Sequence, residues 1–112
     1  MKLVLYVMNK TTLLDKFLKE LNANGIKGAT IISSTGMGRK LFGNEDSPMF
    51  GRLRTLFEGT RPESNVIMMV VKDDEQVEKI YKIIDDVAGD LTQPNSGIAF
   101  TLPIDSVKGF KS

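Results

Sequence analysis

Apolar residues recur along this chain with two different spacings, and the switches between them mark out its elements. Residues 2–8, "KLVLYVM", are a short run of β-formers and read as a strand. Leu13, Leu14, Phe17, Leu18 and Leu21 then recur at helical spacing, with Thr12 as the expected N-cap and Asn24-Gly25 as a left-handed stop. A first helix is therefore predicted over about residues 12–24. A second strand follows at residues 27–33, "KGATIIS", and a third at residues 65–72, "NVIMMVVK". Asp73, with Gln76 three residues later, is a start of the capping-box kind. Val77, Ile80, Tyr81, Ile84, Val87 and Ala88 continue it at i, i+3, i+4, i+7 until Gly89. Residues 97–102, "GIAFTL", are the last strand; Pro103 breaks it and "IDSVKG" reads as a final turn.

The order β-α-β-loop-β-α-β predicts an α+β chain of the ferredoxin-like βαββαβ plan, with a four-stranded antiparallel sheet. At 112 residues it reads as a single domain over residues 1–112. The long interruption, about residues 36–63, carries a helix signal of its own. Ser47 is its N-cap, Pro48 its first position and Gly59 its stop, with Met49, Phe50, Leu53, Leu56 and Phe57 as an apolar stripe. The central strands raise a separate point. Leu3, Leu5 and Val7 point one way and Val4, Tyr6 and Met8 the other, and Val66, Met68 and Val70 oppose Ile67, Met69 and Val71 in the same manner. Two helices cover one face of a sheet, so the second face calls for other cover. The inserted helix and a second copy of the chain both qualify, and an oligomer with that helix near the subunit boundary is the expectation.

Composition narrows the chemistry. Hydrophobic residues make up 41% and charged residues 26%, as in an ordinary globular domain. A net charge of +1 predicts neither a nucleic-acid partner nor attraction to an acidic membrane. There is no cysteine and no histidine, which removes disulfides, thiolate chemistry, the commonest general base and the commonest transition-metal ligands. A cytoplasmic protein fits best. The apolar run after Lys2 is shorter than a signal peptide's core and far short of the roughly 20 residues of a membrane span, so no membrane insertion is expected. No Gly-x-Ser-x-Gly elbow and no Walker lysine motif occurs, so the chain does not read as an enzyme.

Three stretches together carry a resemblance: "GIKGATIISSTGMGR", with its Gly-x-Gly-Arg at residues 36–39, "GIAFTLPIDSV", and the element order around them. The chain resembles the PII signalling superfamily over essentially its whole length, and its PII-like branches more closely than the true nitrogen regulators. That resemblance implies a homotrimer with inward-facing sheets. It also implies T-loops between strands two and three that respond to an effector, often an adenine nucleotide in the cleft between subunits. Such loops then engage a partner protein, a transporter or an enzyme. Two departures stand out. The tyrosines are Tyr6 and Tyr81, in a strand and a helix, so the loop lacks the tyrosine that is uridylylated in true nitrogen regulators. Where members with tight ATP sites carry a phosphate-gripping lysine, this chain has Gly97 within "TQPNSGI".

The expected ligand-binding residues follow from this placement. Gly36 and Gly38, with Met37 between them, either form a nest of backbone N–H groups for an anion or merely turn the chain out of the sheet. Arg39 and Lys40 would add charge-assisted bonds to a phosphate or carboxylate, or stand solvated. Arg61, held extended by Pro62, faces the same cleft or pairs with Glu58 or Glu63. Thr92 and Asn95 read a ligand's polar edge or form a turn. No catalytic residue and no metal ligand is expected. The functional expectation is a trimeric sensor of a small anionic metabolite, signalling through its loop. The alternative is a ligand-independent scaffold of the same fold.

Overall fold

A computed structural model describes residues 1–34, 64–92 and 97–110. The elements run β1 (Lys2–Met8), a 3₁₀ turn (Thr11–Leu13), α1 (Leu14–Ala23), β2 (Ala29–Ser34), β3 (Ser64–Val71), α2 (Asp74–Ala88) and β4 (Gly97–Pro103). The strands form one sheet in the order β2-β3-β1-β4. Each neighbouring pair is antiparallel. This is the ferredoxin-like α+β fold that the element order predicts, with strand limits shifted by one or two residues. The inserted helix expected between Ser47 and Gly59 lies outside the described residues.

The register decides which side chains share a face. Val4 sits opposite Met69 and Thr101, and Tyr6 opposite Ile67 and Ala99. Side chains of paired residues point the same way, so these rows make one face. Both helices pack on it: Val4, Tyr6, Met8, Ile67 and Met69 are fully buried together with Phe17, Leu21, Ile80 and Ile84. Tyr6 meets Phe17 edge to face, with ring centroids 5.2 Å apart. At the other side of this layer the Tyr81 hydroxyl bonds Thr101 Oγ1, tying α2 to β4.

Local signals explain where the helices stop and start. At the end of α1, Gly25 takes φ +81°, its N–H bonds the Asn22 carbonyl at 3.1 Å, and the Ile26 N–H bonds the Leu21 carbonyl at 2.9 Å. That is a Schellman motif, and its Ile26–Leu21 apolar pair enters the core. The expected cap at Thr12 is not made. Thr12 lies inside the 3₁₀ turn, whose Leu13 N–H bonds the Lys10 carbonyl at 3.0 Å, and Leu13 caps α1 with no side-chain bond. At α2 the capping pair does form: Asp73 Oδ1 accepts the Gln76 N–H at 3.1 Å. The Gln76 side-chain carbonyl accepts the Lys72 N–H at 2.8 Å, one residue upstream of the usual partner.

The opposite face of the sheet is also apolar. Across it run Ile32–Val66–Val7–Ile98, Thr30–Met68–Leu5–Phe100 and Val70–Leu3–Leu102. Ile98 is 57% exposed, Ile32 47%, Leu102 44% and Phe100 40%, while the β1 and β3 members are half-buried. Among the described residues no helix covers this face.

Two positions test the packing. The Tyr6 hydroxyl is buried without a hydrogen-bond partner among the described residues, and burial pushes its pKa up from the ordinary 10.0. Tyr6→Phe removes an unmet polar group and should stabilise the fold by about 1 kcal/mol in urea melts. The folded state holds the phenol's proton at pH values where the unfolded chain releases it. Stability should therefore fall as pH rises past about 10, and less steeply in Tyr6→Phe. A destabilised Tyr6→Phe would show that the hydroxyl has a partner. Gly97 has φ +111°, and a Cβ there would stand 2.0 Å from the Val7 carbonyl oxygen. Gly97→Ala should cost roughly 2 kcal/mol or more; a melt indistinguishable from the parent would mean that β4 does not start this close to β1.

Candidate functional site

Among the described residues, neutral polar groups gather at one end of the sheet and a cationic cleft lies at the other. At the first end, Ser34 pairs with Ser64, and Met8 with both Asn65 and Gly97. The interruption after strand two therefore leaves and rejoins the sheet beside the start of β4. The Ser64 hydroxyl donates to Asn9 Oδ1 at 2.7 Å, and the Ser34 hydroxyl donates to the Ser64 carbonyl at 3.2 Å. These bonds tie the two ends of the interruption to the end of β1. Gly97 presses against Val7 at the same place, where no side chain has room.

Most of the expected ligand-binding residues cannot be set against this anchor. Gly36, Met37, Gly38, Arg39, Lys40, Arg61 and Asn95 lie outside the described residues. Thr92 is described and exposed. Its N–H and its hydroxyl both bond Asp90 Oδ1, at 2.9 and 2.7 Å, so it closes an Asx-type turn and its hydroxyl proton is committed there.

At the second end, the exit of α1, the close of β3 and the C-terminal residues 107–110 enclose a cleft of roughly 520 Å³. Ile26, Val70, Val71 and Phe110 give it apolar walls, and Lys27 and Lys108 bring two cations. Gly28 opens its floor, with nothing within 4 Å of where a Cβ would sit. Gln76 lines it from the first turn of α2. Apolar walls with a few convergent polar and charged groups suit a small flat molecule with an anionic end. Among the described residues no group of three or more acids could hold a metal ion.

The sequence reading missed this cleft. Asn24-Gly25 signals a helix stop, and "IDSVKG" only a final turn. Their meeting depends on the antiparallel return of β4 along β1, which no spacing in the chain reveals. The Ile104 N–H, bonded to the Met1 carbonyl at 3.1 Å, extends that return and aims the following residues back toward α1's exit.

The two ends are far apart. β2 has six residues, and at about 3.3 Å per residue it separates them by roughly 17–20 Å. One small ligand cannot touch both ends of the same chain.

A search of curated proteins found no match to this chain. Among family models, the one described as nitrogen regulatory protein P-II matches residues 1–112. No helix among the described residues is long and apolar enough to cross a membrane. A split βαβ sheet with two helices on one face, a long interruption leaving after the second strand, and a family match over the full chain lead to one assignment: this protein belongs to the nitrogen regulatory protein P-II family of signalling proteins.

Proposed function

We propose that the protein is a homotrimeric sensor of a small anionic metabolite, with an adenine nucleotide as the first ligand to test. Its loop over residues 36–63 would carry the signal to a partner transporter or enzyme in the cytoplasm. The reading rests first on family membership. The structural observation that supports it is the apolar sheet face that no helix among the described residues covers. Burying side chains such as Ile98 and Phe100 fully contributes up to about 1.5–3 kcal/mol each, more than any surface ion pair. Copies of the chain packed face to face would supply that cover and close in a ring.

The separation of the cationic cleft from the base of the loop supports the same assembly. Lys27 and Lys108 line the cleft at one end of the sheet, and β2 ends at Ser34 at the other, with Arg39 and Lys40 next in the sequence as cations. In a ring, the cleft of one subunit and the loop base of its neighbour would together surround one ligand. The loop would then feel occupancy directly, because the ligand touches residues just beyond its anchor.

Three outcomes are expected. The chain should sediment as a trimer, and Phe100→Asp, at an exposed position, should leave a folded monomer; a parent chain that is monomeric at micromolar concentration overturns the assembly. ATP or ADP should raise the melting temperature with ligand mass action, and no shift with either removes nucleotide sensing. Arg39→Ala and Lys108→Ala should each weaken binding about tenfold or more, as loss of a charge-assisted contact does. Coassembly of the two variant chains should restore a fraction of tight sites, whereas two cations acting on one ligand from the same chain would restore none.

A further inference from the structure

Gln76 occupies an unusual position in this cleft. Its side-chain amide has two ends, and Lys72 has taken one of them. The Lys72 backbone can only donate, so the atom it meets at 2.8 Å is the amide oxygen, and the amide nitrogen is the end left over. That nitrogen makes no hydrogen bond among the described residues. The backbone N–H of Gln76 is likewise committed, to Asp73 Oδ1 at 3.1 Å. The side chain is half-buried and forms part of the cleft wall, close in sequence to Val70 and Val71.

We propose that Gln76 is a specificity-determining residue of the cleft, presenting a preorganised amide N–H₂ donor to an acceptor on the bound ligand. The ligand class is a flat heterocycle with an acceptor on its edge and an anionic tail, such as a nucleoside phosphate. The apolar walls of Ile26, Val70, Val71 and Phe110 suit the ring, and Lys27 and Lys108 suit the anionic tail. The Lys72 bond fixes the amide plane before the ligand arrives, so ordering the donor costs little on binding. An analogue without the acceptor would leave this donor desolvated and unmet, which is how a hydrogen-bonding site rejects the wrong ring. The inference rests on the reading of this cleft as a ligand site and adds the residue that reads the ring.

The test uses the full chain, with ATP as the probe, by isothermal titration calorimetry. Gln76→Glu keeps an oxygen for the Lys72 N–H and replaces the donor by a charged acceptor. It should melt within a few degrees of the parent without ligand and bind ATP at least tenfold more weakly. Gln76→Met removes the donor without adding charge and should bind several-fold more weakly, at a temperature where it remains folded. Gln76→Glu binding within twofold of the parent overturns the role. So does a weakened Gln76→Glu beside a Gln76→Met that binds normally, since the loss would then be charge repulsion. A parent chain that fails to bind ATP overturns the nucleotide reading of the cleft, and this inference with it.

Discussion

Two helices of ten and fifteen residues lie on the same side of a four-stranded sheet, and that one-sidedness governs the molecule. The helix side buries Tyr6, Phe17, Ile67, Met69 and Ile80 completely, and it closes into a continuous core. The other side repeats the same apolar chemistry in β1, β2, β3 and β4, and no helix among the described residues covers it. Half-buried and exposed rows of Ile, Leu, Val and Phe are stable in water only at a cost, and association is the ordinary way to remove it. The strand alternation that builds the core therefore also builds a surface suited to copies of the chain.

Antiparallel pairing has a second effect, on where chemistry can gather. β2 and β3 run in opposite directions, so the chain leaves the sheet at Ser34 and returns at Ser64, on the same end. The exit of α1 and the close of β3 meet at the other end, and the residues after β4 arrive there too. The cleft and the base of the interruption are thus held apart by the length of a strand within one chain. Under the function proposed above, a neighbouring chain would bring the two together, and binding would be linked to assembly through geometry.

Sequence reading recovered the elements whose causes are local. The β-formers of residues 2–8, the helical spacing after Val77 and the Asp73–Gln76 cap all depend on neighbours within a few residues, and each appears in the structure. Gly25 and Gly89 end the helices at φ +81° and +76°, as their type allows. Thr12 misled because a good capping residue can be passed over when the chain tightens into a 3₁₀ turn one residue earlier. The cleft was illegible for a different reason. Gly28, Val70 and Lys108 come from three parts of the chain and have no common spacing.

What the sequence determined by itself was the element order, the two-sided greasiness of the central strands and the absence of histidine and cysteine chemistry. These follow from side-chain type and period, which are properties of short stretches. The tertiary structure decided the sheet order, the choice of which apolar face the helices take, and the meeting of Lys27, Gln76 and Lys108 around one cleft. Those depend on how strands return along one another, and a return path is set by the register of the whole sheet, which no single segment encodes.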